Sequence, residues 1–146
     1  MSSEVIIRGA RLSDAQYITD LNDQLGYPST IEGVKDRLTE MLNSDSHEIY
    51  VAEIENEKVV GWIHVFGAIR LESSRFAELG GLIVSSEMRG RKIGEKLVDK
   101  AENWAKEKGY TKIRVRCQVK RERAHNFYEK ENYSLIKDQK VFEKVL

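Results

Sequence analysis

The feature that most limits how this chain can fold is a change of hydrophobic period in its middle. From Glu48 to Val84 apolar side chains recur mainly at every second residue, while the segments before and after carry helical spacing. Glu48 to Ile54 alternates, Glu55-Asn56-Glu57-Lys58 reads as a turn, and Val59 to Ala68 runs as a partner strand. Phe76 to Val84 reads as a third strand and contains Gly80-Gly81. Two adjacent glycines weaken a strand interior, so they predict a bulge or a close backbone approach.

The flanks complete the pattern. Glu4-Val5-Ile6-Ile7-Arg8 is a short β-branched run that predicts a first strand. Ser13-Asp14 supplies a helix N-cap before Ala15, Ile18, Leu21, Asn22 and Leu25, and Gly26-Tyr27-Pro28 stops that helix. Ser29 or Thr30 caps the next, which carries Ile31, Val34, Leu38, Met41 and Leu42 on one stripe. A long helix follows from about Met88 to Lys108, closed by Gly109. Ile113, Val115 and Cys117 alternate with Lys112, Arg114 and Arg116 in a strand, Arg121 to Glu131 is helical, and Tyr133 to Ile136 and Val141 to Leu146 read as closing strands. The predicted order is β-α-α-β-β-β-α-β-α-β-β, an α/β (α+β) domain over residues 1–146 with a mixed, mostly antiparallel sheet.

Composition removes several classes. With 146 residues, 40% hydrophobic and 33% charged, the chain is expected to bury a core of its own rather than stay disordered. A single Cys excludes a disulfide framework, and no CxxC or Cys/His cluster is spaced for zinc, so no metal is expected. The longest apolar runs are far short of the roughly 20 residues that cross a bilayer. The start MSSEVIIRGA lacks a basic segment followed by a long apolar one. No membrane partner is expected, and the expected location is cytoplasmic. The formal net charge of zero hides an asymmetry: residues 1–84 hold seven Lys/Arg against fourteen Asp/Glu, and residues 85–125 hold thirteen against six.

Two stretches carry chemistry. Leu82-Ile83-Val84-Ser85-Ser86-Glu87-Met88-Arg89-Gly90-Arg91-Lys92-Ile93-Gly94-Glu95-Lys96-Leu97 runs from a strand through a turn with cations into a helix start. A helix N-terminus presents unpaired N–H groups and a positive dipole end, a natural anion site. The spacing Gly-x-x-x-Gly-x-Lys-Leu fails the phosphate-loop pattern of ATPases, lacking a hydroxyl for magnesium, and also fails Gly-x-Gly-x-x-Gly. The second stretch is Arg121-Glu122-Arg123-Ala124-His125-Asn126-Phe127-Tyr128-Glu129-Lys130-Glu131-Asn132-Tyr133.

Together these stretches resemble the GNAT superfamily of acetyl-CoA-dependent N-acetyltransferases. Its pyrophosphate loop has the form Gln/Arg-x-x-Gly-x-Gly/Ala, read here in Arg89 to Gly94; its later helix reads Ala-x-x-Phe-Tyr-x-x-x-Gly-Phe, followed closely by Ala124 to Tyr133. Lys92 stands where the middle Gly is usual, and Asn132 where a Gly precedes the last aromatic. Asn adopts positive φ more readily than most residues.

The resemblance implies that acetyl-CoA lies between the strand ending at Val84 and the strand from Thr111. It implies that backbone groups of Leu82, Ile83 and Val84 meet the pantetheine, and that N–H groups of Arg89, Gly90, Arg91, Lys92, Ile93, Gly94 and Glu95 hold the pyrophosphate. Tyr128 matches the acid for the departing thiolate, Glu78 is the candidate base acting through a water, and Asn126 is a candidate cofactor contact. Asp20, Asp23, Glu32 and Asp36 in the first two helices are candidate attractants for a small cationic amine. The resemblance also implies a homodimer.

Two other readings stand beside this one. A non-catalytic acyl-CoA-binding module would carry the same motifs. A nucleic-acid binder would use Lys112, Arg114, Arg116, Lys120, Arg121 and Arg123, but a pI near 6.9 and the lack of interleaved aromatics speak against it, and no nucleic-acid partner is expected. Cys117 adjoins Arg116, yet sharing the apolar side of Ile113 and Val115 favours a buried small residue over an acyl-accepting thiol. His47 and His64 read as ordinary loop and strand residues, His125 as lying on the polar side of its helix, and Trp62 and Trp104 as core or interface aromatics.

Overall fold

The computed structural model describes residues 4–55 and 58–146, which form two compact units, 4–116 and 117–146. Asn56 and Glu57 of the expected turn lie outside the described residues.

The first unit holds five strands: β1 (Ile6–Gly9), β2 (His47–Ile54), β3 (Lys58–Arg70), β4 (Ser73–Val84) and β5 (Ile113–Val115). They lie in one sheet in chain order, antiparallel from β1 to β4, with β5 parallel to β4. Three helices accompany them: α1 (Ala15–Gln24), α2 (Ile31–Leu42) and α3 (Ile93–Glu107). Ile49, Val51 and Ile83 share a buried cluster with Ile18 and Leu21 of α1 and Val34 and Leu38 of α2, so those helices cover one sheet face. Strand alternation turns Tyr50 and Ile63 to the other face. There α3 packs, with the Lys100 ammonium over the Tyr50 ring and Leu97 against Gly61. Burial of such aliphatic side chains, worth roughly 1.5–3 kcal/mol each, holds the three layers together.

Local signals explain most boundaries. Thr30 Oγ1 accepts the Gly33 amide at 3.0 Å and starts α2. Gly109, at φ +88°, ends α3 in the left-handed conformation that glycine tolerates. The adjacent glycines do form a bulge: His64 pairs with Gly81 but Val65 with Leu79, leaving Gly80 as the extra residue.

Four expectations need correction. The long helix begins at Ile93 rather than near Met88, because a 3₁₀ turn (Ser86–Met88) and positive φ at Gly90 and Lys92 interrupt the helical path. Asp14 makes no capping bond to α1; its carboxylate is drawn to Arg8, with contacts of 2.8 and 2.9 Å, and accepts the Arg11 amide at 2.7 Å. The strand of Cys117 stops at Val115. In the second unit the only regular element is α4 (Glu122–Lys130): Tyr133 to Ile136 and Val141 to Leu146 form no strands. Leu135, Val141 and Phe142 are 81–91% exposed. An alternating sequence becomes a strand only with a ladder partner and an apolar surface to cover, and two short strands alone are marginal in water.

The Arg8–Asp14 pair also links stability to pH. Burial works to raise the Asp14 pKa, but the hydrogen bonds from Arg8 and Arg11 and the two positive charges outweigh it and hold the carboxyl below its usual range. The resulting stability is present above the unfolded value of about 3.9 and is lost as pH falls through the depressed folded value. Urea unfolding is expected to show Asp14→Asn less stable by about 3 kcal/mol at pH 7, with a flatter profile than wild type below pH ~4.

Candidate functional site

Strands β4 and β5 stay together only briefly. Their parallel pairing covers Ala77 with Ile113, Glu78 with Arg114 and Leu79 with Val115. From Gly81 to Val84, β4 is paired on the β3 side only. Its other edge has no strand partner among the described residues. Leu82, Ile83 and Val84 therefore offer a row of backbone donors and acceptors without a strand partner among the described residues, the arrangement by which an extended ligand adds to a sheet edge.

That strand leads straight to the anion-type helix start. Arg89, Gly90, Arg91 and Lys92 are exposed and join β4 to α3, whose first turn contains Ile93, Gly94 and Glu95. Lys92 is the N-cap, but no side chain caps the helix, so the first-turn amides remain for a ligand or water. Lys92 adopts φ +59°, ψ +26°, the left-handed conformation that a glycine would take at no steric cost. The cationic side chain is therefore compatible with the loop, at a backbone cost of roughly 1–2 kcal/mol.

Glu78 is buried on β4, four residues before Leu82. Both its carboxylate oxygens lie 3.3 Å from Nε of Arg116, which fixes their orientation. Asn126 and Tyr128 stand on α4 in the second unit, Asn126 exposed and Tyr128 half-buried between the rings of Phe127 and Tyr133. Burial, and secondarily Cys117, raises the Tyr128 phenol well above its usual value. Asn132 takes φ +70°, as its place in the motif requires, and lets the Tyr133 amide return to the Tyr128 carbonyl at 2.9 Å. Cys117 is half-buried, and burial raises its pKa, so it is held as a thiol rather than an activated thiolate. Nε2 of His125 donates to the Gln118 carbonyl at 2.9 Å.

A cavity of about 110 Å³ lies between α1, α2 and the sheet, walled by Ile18, Leu38 and Met41 and floored by Trp62 and His64. Trp62 donates through its indole N–H to Asn22 at 3.1 Å. His64 is not an ordinary strand residue: its Nε2 shares a 2.8 Å hydrogen bond with Nδ1 of His47, and both rings stack with Phe66. Burial, and then the neighbouring His47, pushes the His64 pKa down to about 4. The His64 ring lies over the bulged Gly80, where a β-carbon would collide with it. Arg37 also lines the cavity. Its signal in the sequence was a charge three residues after Val34 and four before Met41, at the flank of the apolar stripe. The acidic candidates Asp20, Asp23, Glu32 and Asp36 do not line it.

An open strand edge running into an uncapped helix start suits a ligand with an extended arm and a phosphate-bearing tail. The chain belongs to the acetyltransferase (GNAT) family, whose model matches residues 15–133. It is 32% identical over 114 residues to an aminoalkylphosphonate N-acetyltransferase from Salmonella typhimurium, covering 77% of this chain and 71% of that protein. Among solved structures it is similar to an aminoglycoside 6'-N-acetyltransferase from Acinetobacter baumannii (TM-score 0.86, 16% identity, 98% of this chain and 99% of that one). A glucosamine-6-phosphate N-acetyltransferase from Arabidopsis thaliana gives a TM-score of 0.81 at 25% identity, covering 96% of this chain and 98% of that one. Among the described residues no group of His, Cys, Asp and Glu is placed to hold a metal, and no helix is long and apolar enough to cross a membrane.

Two measurements check this geometry. Relief at the left-handed position should make Lys92→Gly about 1 kcal/mol more stable than Lys92→Ala in urea unfolding. His64 is neutral when folded to well below its unfolded pKa of about 6.5, so stability should fall as pH drops from ~6.5 toward 4, and His64→Gln should flatten that slope.

Proposed function

We propose that residues 1–146 act as a single N-acetyltransferase domain, moving the acetyl group of acetyl-CoA to a primary amine of a small cationic acceptor by direct attack. The observation that carries this reading is the unpaired β4 edge from Leu82 to Val84 leading into the uncapped start of α3. The aminoalkylphosphonate, aminoglycoside and glucosamine-6-phosphate enzymes are all named for amine acceptors.

In this reading Leu82, Ile83 and Val84 bind the pantetheine arm through their backbone. The pyrophosphate rests on amides from Arg89, Gly90, Arg91, Lys92, Ile93, Gly94 and Glu95, with the exposed cations balancing its charge. Asn126 contacts the donor. The donor supplies a thioester whose carbonyl accepts the amine and whose thiolate departs. Tyr128 keeps its proton across the working pH range because burial raises its phenol, and it donates a hydrogen bond to the leaving sulfur. Glu78, oriented by Arg116, takes the amine proton through a water. The protein works in the cytoplasm as a homodimer.

The test is calorimetric titration with acetyl-CoA followed by steady-state kinetics. Acetyl-CoA is expected to bind at micromolar affinity. Tyr128→Phe should leave that affinity intact while kcat falls by about 10²-fold, and Glu78→Gln should also lower kcat without weakening donor binding. Tight donor binding with no amine acetylated, and no effect of Tyr128→Phe on any property, would instead favour the non-catalytic acyl-CoA-binding module.

A further inference from the structure

Charge at the cavity beneath α1 and α2 runs opposite to that of the segment around it. Residues 1–84 are acidic overall, which favours a cationic acceptor, yet no carboxylate lines the cavity. Its polar lining is Asn22, Arg37 and His64. Asn22 is already committed to the Trp62 indole, and His64 is bonded to His47 and held neutral near pH 7. Arg37 is the lining residue that carries charge, and it forms no ion pair among the described residues.

The placement of Arg37 sharpens the point. It flanks the stripe of Val34, Leu38 and Met41 and stands exposed at the rim of the cavity they line. Its guanidinium folds back along α2: a β-carbon at Gly33 would stand 3.1 Å from Nη1. Glycine in the first turn of this twelve-residue helix thus leaves room for the guanidinium near the positive end of the helix dipole. A planar guanidinium with free donors, beside a helix start, at the edge of an apolar hollow, matches a carboxylate or a tetrahedral phosphorus oxyanion.

The cavity also adjoins the donor edge. Its floor residues Trp62 and His64 pair with Ile83 and Gly81, so β4 lies one strand away, about 4.8 Å in a sheet. A short acceptor anchored at Arg37 would therefore extend its other end toward the strand proposed to hold the thioester.

The geometry points to an acceptor that carries an anionic group as well as its amine, with Arg37 as the residue that selects it. This inference rests on the N-acetyltransferase reading and narrows its acceptor from a simple cationic amine to a small zwitterionic one.

Matched acceptors test it. Initial rates would be measured with 2-aminoethylphosphonate, β-alanine, ethanolamine and putrescine, for wild type, Arg37→Gln and Arg37→Lys, with acetyl-CoA affinity and thermal midpoint recorded for each. Wild type is expected to favour an anionic acceptor over ethanolamine by at least ~10-fold in kcat/KM, and the phosphonate and carboxylate arms show which anion fits. Arg37→Gln should collapse that ratio by ~10–100-fold through KM, as expected for loss of charge-assisted hydrogen bonds. Arg37→Lys should restore part of it, and acetyl-CoA affinity should not change. A wild-type preference for putrescine or ethanolamine, or an unaltered ratio in Arg37→Gln, overturns the inference while leaving the acetyltransferase intact. Failure of wild type to bind acetyl-CoA overturns both.

Discussion

The bulge at Gly80 is the constraint on which the rest of the first unit depends. An extra residue in an antiparallel pair bends the strand and increases its twist. Here it falls immediately after the last β4–β5 pair, at Leu79 and Val115. Beyond it, β4 is paired with β3 alone, and the edge from Leu82 to Val84 has no strand partner among the described residues. The same bulge removes a side chain where the His64 ring lies, while Gly81 makes way for Trp62, whose ring would come within 2.8 Å of a β-carbon there. One backbone irregularity thus opens the proposed donor edge on one side of β4 and makes room for the cavity floor on the other.

The loop after β4 shows how a departure from a motif can be absorbed. A lysine replaces glycine at position 92, and the backbone adopts the glycine conformation regardless. The helix that follows is anchored by fully buried Ile93, Leu97 and Val98, a burial gain larger than the left-handed cost. Asn132 makes the same accommodation after α4, with less strain because asparagine is suited to it.

Much of the fold and the family was legible because their signals are local. Glycines marked the bulge, the loop and the end of α3; the paired stretches around Arg89 and Tyr128 gave the family; Ser29-Thr30 bracketed the start of α2, and the structure selects Thr30. The contacts that escaped notice join residues that local patterns do not pair. His47 and His64 are seventeen residues apart and meet only through β2–β3 register. Glu78 finds Arg116 from another strand's end, 38 residues later. Asp14 looked like a cap because a cap needs only local chain, but Arg8 competes for its carboxylate and wins with two charge-assisted hydrogen bonds. Arg37 flanked an apolar stripe in plain view, yet a single exposed arginine carries no meaning until the hollow beside it is known.

The sequence by itself determined the α/β pattern, the family and the strand–loop–helix that suits a phosphate-bearing donor, because periodicity, glycine placement and helix-start chemistry act over a few residues. Tertiary structure decided where β4 parts from β5, which side chains line the cavity and what charge that cavity presents. It also decided that the alternating residues after Tyr133 remain without a ladder. Each of these outcomes depends on which distant backbone or side chain arrives as a partner, and that is fixed by the packing of the sheet and its helices rather than by any short run of residues.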